Sequence, residues 1–376
     1  MTESMLEEKF SNISFRCSEC DKEFPVDTKD YCCKCGGLFD LQYTPPPFSF
    51  DLVDKAENSL FRYRAFLPVT NKGWKDISMG EGMSPVVELA TESSSGKVFV
   101  KVDYMMPTLS FKDRGAALVI WLAKALGAKK VIQDSSGNAG NSIAAYAARA
   151  GLECEIYVPE KTSPAKIKMI QSYGAKVNVL PMSRDDTAKA CRQAAASGSG
   201  YYASHVFNPF FYQGTKTYVY EVLEQLGYIP DNLIIPVGNG TLLIGVMLAL
   251  DEMLSSGTIT RRPKIYAAQS ELCAPLLSAY AEKKDAPALI NVQKTLAEGI
   301  AVGQPARGAQ ILRQAYKTGV EFIPVPEDKI PEARSLLARQ GFYVEHTTAA
   351  TYAAYLSQRI EGEVLLPLCG AGLKSD

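Results

Sequence analysis

Apolar positions along the chain gather in short runs, and the spacing within and between those runs sets the architecture. Residues 98–102 (Val-Phe-Val-Lys-Val) form a run of buried-strand length, and residues 116–126 carry apolar side chains at helical spacing. The same pair recurs down the chain. Strands are expected at 129–134, 154–158, 176–180, 233–237, 264–268, 321–324 and 363–366. Helices are expected between them, at 139–150, 164–172, 184–196, 242–254, 330–340 and 347–360. Such alternation predicts parallel sheets covered on both faces by helices. The strands are too many for one open sheet, so the expected fold class is α/β with two parallel-rich, doubly wound domains. Residues 194–200 (A-A-A-S-G-S-G) read as a short flexible loop.

The first 45 residues break this pattern. They hold Cys17, Cys20, Cys32, Cys33 and Cys35 and are closed off by Pro45-Pro46-Pro47. Cys17-Ser18-Glu19-Cys20 and Cys32-Cys33-Lys34-Cys35 are two C-x-x-C pairs. Together they can chelate one tetrahedral zinc through thiolates at about 2.3 Å, with Gly36-Gly37 permitting the turn after the second pair. The expected ligands are Cys17, Cys20, Cys32 and Cys35, with Cys33 a spectator. Four thiolates leave no open position, so such a metal is structural. The alternative is a set of free thiols. Asp21, Glu23, Asp27 and Asp30 suit this head poorly to nucleic acid.

Composition narrows the class further. Hydrophobic content of 47% and charged content of 22% are those of a globular chain, and 376 residues suffice for two domains. A net charge of −1 gives no basic excess for nucleic acid or anionic membrane. The acidic start at residues 1–9 lacks the basic-then-apolar order of a signal peptide, and no window of about 20 residues is wholly apolar. A cytoplasmic protein without a membrane partner is expected. Only two histidines, His205 and His346, are present, which disfavours a multi-histidine catalytic metal. His205 reads as packing and His346 as part of a helix start. Glu298 reads either as a contact to a ligand or as a solvated cap.

Four places carry candidate chemistry. Lys112, in Ser110-Phe111-Lys112-Asp113-Arg114-Gly115, stands at a strand-to-helix turn, where a restrained amine can form a Schiff base. An ordinary capped helix start has the same look. Ser135-Ser136-Gly137-Asn138 follows a strand and opens a helix, a setting that binds carboxylate or phosphate through backbone amides. Gly238-Asn239-Gly240-Thr241-Leu242 repeats that logic without the pattern of a dinucleotide or P-loop site, and suits a single phosphate monoester. Cys369, flanked by Gly370 at the end of the last strand, lies where α/β sheets bind ligands.

The ordered set resembles the fold-type II pyridoxal-phosphate enzymes, the tryptophan synthase β group, and within it the threonine synthases, over about residues 15–376. The motif S-F-K-D-R-G, the head ending C-x-x-C-G-G, Asn208-Pro209 followed by Gly214-Thr215-Lys216-Thr217, and the ending G-x-G-L-K carry the likeness. The resemblance implies pyridoxal phosphate as cofactor and Lys112 as the Schiff-base lysine, with Phe111 packing by the ring. It implies Asn138 on the ring hydroxyl and Ser135, Ser136 and Gly137 on the substrate carboxylate. Gly238, Asn239, Gly240, Thr241 and Leu242 become the phosphate cradle, and Cys369 the partner of the pyridine nitrogen. It further implies a homodimer, an amino-acid substrate, and conversion of O-phosphohomoserine and water to threonine and phosphate. The implied domains are the head (1–45), a large cofactor domain (46–120 and 222–376) and a small mobile α/β domain (121–221).

Cys369, Ala139, Leu109 and Met106 depart from the family pattern, which has threonine, a hydroxyl residue, glycine and asparagine at those places. The S-S-G-N-A-G loop and the strand-end cysteine are closer to serine dehydratases, so a β-eliminating or β-replacing enzyme is the alternative. A catalytically silent zinc-ribbon interaction protein is a third.

Overall fold

The computed structural model describes residues 10, 12–70, 72–90 and 96–374; the acidic start at residues 1–9 lies outside them. In chain order the first elements are β1 (Ser14–Cys17), β2 (Glu23–Phe24), β3 (Phe39–Gln42), β4 (Val86–Leu89), β5 (Val98–Lys101) and α1 (Lys112–Ala125). Next come β6 (Lys130–Gln133), α2 (Asn138–Ala150), β7 (Glu153–Pro159), α3 (Pro164–Ser172), β8 (Lys176–Leu180), α4 (Arg184–Ala196) and β9 (Tyr201–Tyr202). There follow α5 (Phe210–Thr215), α6 (Thr217–Leu226), β10 (Asn232–Pro236), α7 (Thr241–Ser255), β11 (Lys264–Ser270) and α8 (Pro275–Ala281). The last are α9 (Gly308–Thr318), β12 (Glu321–Val325), α10 (Ile330–Arg339), α11 (His346–Leu356) and β13 (Val364–Pro367).

Local chemistry explains several boundaries. Ser163 and Ser183 cap α3 and α4 by accepting from the Lys166 and Asp186 amides, and Pro164 pre-sets the first turn of α3. Helix α4 runs through Ala196 and ends at Ser197. The expected loop at 194–200 therefore begins as helix, because three alanines favour the helical backbone until the serine-glycine sequence stops it.

The strands form the two expected parallel-rich sheets and, in the head, a third. The head makes an antiparallel sheet, β2-β1-β3. Four strands, β8-β7-β6-β9, form a fully parallel sheet, and six, β12-β11-β10-β13-β5-β4, form one in which only the edge strand β4 runs antiparallel.

The chain divides into two units, residues 1–81 with 112–215, and residues 82–111 with 216–376. These boundaries differ from the expected ones at 45, 120 and 221, and packing gives the reason. In the first unit Leu60, Phe61, Trp74 and Ile77 share one core with Phe15 and Phe39 of the head and with Leu118, Trp121, Ile143 and Phe210. Residues 46–81 and the whole of α1 therefore belong with the small sheet, and the head is part of that core. The second unit has its own core, in which Val98, Val100, Ile234, Ala350, Ala353 and Leu366 meet.

Within the second unit, buried charge fixes the exit of β5. Lys101, fully buried, lies 2.8 Å from Glu221 of α6, also fully buried, and donates to the Ser84 carbonyl at 2.5 Å. A buried pair of this kind holds one geometry because breaking it strands a charge. Among the described residues no helix is long and apolar enough to cross a membrane.

Candidate functional site

Lys112 is the first residue of α1, four positions before the helix start expected from the apolar spacing, and is half-buried. Its Nζ lies 5.9 Å from the centroid of the Phe211 ring. Asp113 and Arg114 behind it are fully buried, and the Asp113 carboxylate accepts from the Ser142 hydroxyl of α2. Helix α5 presses close to this turn: a Cβ at Gly214 would fall 2.0 Å from the Arg114 carbonyl oxygen, so only glycine fits.

In the same unit the Ser135–Asn138 segment leaves β6 and opens α2. Gly137 takes the N-cap position without a side-chain hydrogen bond, and the first turn carries no acidic residue. Such an uncapped start favours an anion. The loop is held by Gln133, a fully buried residue that the sequence reading missed. Its Oε1 accepts from the Ser135 amide at 2.7 Å, and its Nε2 lies 3.3 Å from Nδ1 of His205. His205 is thus part of the support of the loop rather than simple packing. Burial, then the positive charges of Lys112 and Arg184, hold its imidazole well below the usual range, so it is neutral. The signal in the sequence was a glutamine directly after the apolar pair Val131-Ile132 and just before the serine-glycine loop.

The second unit holds the other two places. Gly238 and Asn239 follow β10, and Gly240, at φ +75°, enters α7 as its N-cap. A side chain at Gly240 would meet Ile311 Cδ1 at 2.2 Å. Helix α7 has no side-chain cap and no acid in its first turn, and Thr241 and Leu242 open it, both buried. Backbone amides, one hydroxyl and the positive end of a long helix form a donor set suited to a phosphate monoester.

Cys369, buried at the end of β13, accepts a backbone hydrogen bond at 2.9 Å from Phe111, the residue before Lys112. Ser110 and Gly370 pair beside it as an antiparallel bridge. The lysine segment and the strand-end cysteine, far apart in sequence, are thereby fastened together. Lys374 adds a hydrogen bond from its Nζ to the Thr108 carbonyl at 2.6 Å. Leu109 sits at φ +60°, a left-handed conformation that favours glycine and accounts for the glycine usual there in the resembled family. Met106 is buried. Glu298 opens a short 3-10 turn and is exposed, and His346 is the first residue of α11 after the N-cap Glu345.

The cysteine head differs from expectation in one ligand. The sulfurs of Cys17, Cys20, Cys33 and Cys35 all lie within 4.8 Å of one another, and Cys32 is not among them. Cys32 pairs through its backbone with Leu38, and alternation along that extended segment turns Cys33 to the side where the knuckle lies. The Cys33 backbone is fixed in turn, donating to the Gly37 carbonyl at 2.8 Å and accepting from the Gly36 amide at 2.9 Å. Cys33, and not Cys32, thus stands in the sulfur cluster. Sulfur separations of 3.4 Å (Cys17–Cys35), 3.6 Å (Cys20–Cys33) and 3.5 Å (Cys20–Cys35) approach the edge of a ZnS4 tetrahedron. That edge is about 3.8 Å for bonds of about 2.3 Å. Burial pushes the Cys17 thiol up, but the amides of Glu19 and Cys20 and the neighbouring thiols outweigh it and bring it down to about 7. At Cys35 the Gly37 amide is outweighed by the Cys17 and Cys20 thiols, which push it up to about 12.

Comparison with known proteins adds the relatives. The model of the family "Pyridoxal-phosphate dependent enzyme" matches residues 77–370. Threonine synthase of Methanocaldococcus jannaschii is 32% identical over 357 residues, covering 92% of this chain and 88% of that protein. Threonine synthase of Synechocystis sp. is 33% identical over 322 residues, covering 83% and 82%. Among solved structures, the processed form of threonine deaminase isoform 2 from Solanum lycopersicum superposes with a TM-score of 0.67 at 21% identity, covering 87% of this chain and 86% of that one. The serine racemase of Dictyostelium discoideum gives 0.66 at 23%, with coverage of 80% and 96%.

Proposed function

The chain belongs to the pyridoxal-phosphate dependent enzymes, within the threonine synthase family, and from that premise we propose that it converts O-phosphohomoserine and water to threonine and phosphate. The backbone bond between Phe111 and Cys369 carries the reading, because it joins the two motifs on which such chemistry depends. Relatives of 32% and 33% identity support the substrate.

The cofactor, when bound, draws electron density from the α-carbon of the amino-acid substrate. The chain supplies the rest. Gly238, Asn239, Gly240, Thr241 and Leu242 take the cofactor phosphate on the uncapped start of α7. Lys112 provides the amine that holds the cofactor and, when free, the base that takes the α-proton at Nζ. Asn138 meets the ring hydroxyl, and Ser135, Ser136 and Gly137 take the substrate carboxylate. The Cys369 thiol, a weak donor, would stand opposite the pyridine nitrogen and leave it unprotonated, which would favour elimination over transamination. Departure of the γ-phosphate would require a second proton to leave the β-carbon; water would then add at the β-carbon, and protons would return to the γ- and α-carbons. In the head, the sulfur geometry supports a structural zinc on Cys17, Cys20, Cys33 and Cys35.

Two features favour dehydration of serine or threonine as the second reading. Ala139 offers no hydroxyl after Asn138, and the strand ends in cysteine. The test measures phosphate released from O-phosphohomoserine beside keto acid released from serine and threonine. Phosphate with threonine, and little keto acid, is expected; keto acid without phosphate release sinks the synthase reading.

A further inference from the structure

The cysteine head meets the rest of its unit in several places, among them the Tyr212 hydroxyl, which donates to Asp40 Oδ1 at 2.9 Å. Phe15 meets Phe210 edge-on at 6.2 Å, within the main core of the unit. Separately, Tyr31 packs edge-on against Tyr202 of β9 at 5.7 Å and against Phe207 at 5.4 Å. A cavity of about 540 Å³, lined by Phe15 and Phe39 as well as Tyr31, Tyr202 and Phe207, borders both contacts, so the Tyr31 contact is not merged into continuous packing. Tyr31 precedes the Cys32–Leu38 bridge and the cluster cysteine Cys33, which fix its backbone.

Beyond Tyr202 the path continues by a hydrogen bond. The Tyr202 hydroxyl donates to Asp134 Oδ1 at 2.7 Å. Asp134 is the residue at which the chain leaves β6 for Ser135. On its other side the loop is clamped by Gln133, and at Gly140 a Cβ would fall 1.7 Å from the Ser135 carbonyl oxygen. Asp134 thus links this clamp to β9 and, through Tyr202, to the head. We propose that the head is a positioning element for the Ser135–Asn138 loop, acting through Tyr31, Tyr202 and Asp134. The contacts stand by themselves; the meaning of the loop as the seat of the substrate carboxylate rests on the function proposed above.

Tyr202→Phe keeps the ring and removes only the hydroxyl, Tyr31→Ala removes the packing, and Tyr31→Phe restores it. In the full-length holoenzyme, hydrogen exchange of backbone amides 134–140 is expected to quicken about tenfold in Tyr202→Phe and Tyr31→Ala, the size of one lost hydrogen bond. Tyr31→Phe is expected to exchange as the parent does, and residues 238–245 are expected to keep the parent rate in every variant. KM for the amino-acid substrate is expected to rise about tenfold in the first two variants, with kcat within about twofold, as for lost binding that is equal in ground and transition states. Unchanged exchange at 134–140 in Tyr202→Phe overturns the proposal, as does unchanged exchange in Tyr31→Ala. A chain that takes up no cofactor would instead overturn the functional reading, and the exchange measurement would remain valid.

Discussion

At the scale of single residues, burial decides more than sequence position. Glu81 is fully buried; its Oε2 accepts from the Met79 amide at 2.8 Å and the Tyr146 hydroxyl at 3.0 Å, while Oε1 has no partner among the described residues. Burial pushes this carboxyl up from 4.5 to about 7, Asp113 adding to the effect and the Met79 amide and Tyr146 opposing it. Between those values the folded chain keeps a proton that the unfolded chain has lost. Stability therefore falls as pH rises through that window and stays lowered above it, by up to about 3 kcal/mol. Glu81→Gln, which keeps the acceptor and cannot ionise, should match the parent near pH 4.5 and exceed it near pH 8 in urea unfolding. An equal difference at both pH values would refute this. Residues of this kind mark where the sequence stops being legible. Lys112, the glycine loop and Cys369 announce themselves by motif, whereas Gln133 and Glu81 act through neighbours brought together by folding. Leu109 lies between: its departure from glycine was visible, but its cost, about 1–2 kcal/mol, emerges only with φ +60°.

At the scale of elements, legibility follows the caps. Helices α3 and α4 begin where the spacing placed them because Ser163 and Ser183 cap their starts. Lys112 joins α1 earlier than apolar spacing alone allows, since its first turn is polar but helical. The antiparallel β4 and the adjoining helices α5 and α6 had no comparable punctuation and were not anticipated. The head shows the limit most plainly, for two adjacent cysteines are equivalent in a spacing argument and only the Cys32–Leu38 pairing separates them. Metal analysis of purified variants should find zinc retained in Cys32→Ser and lost or greatly weakened in Cys33→Ser. The reverse result would restore the C-x-x-C pair.

At the scale of the whole molecule, the two units are threaded through each other in sequence. The chain passes from one to the other after residues 81, 111 and 215. Residues 112–215 expressed alone lack Leu60, Phe61, Trp74 and Ile77, which share their core, and should stay unfolded by circular dichroism. Supplying residues 1–81 in the same chain through a flexible linker should restore helical signal; a folded 112–215 would contradict the shared core.

The position of β5 has a consequence for the newly made chain. This apolar strand lies between β4, made just before it, and β13, whose Val364 pairs with Val98. At about 5–20 residues per second, its second neighbour leaves the ribosome on the order of 15–50 s later. For that interval one edge of Val-Phe-Val-Lys stands open to any passing strand. The nascent protein carries that hazard of aggregation long before its chemistry exists.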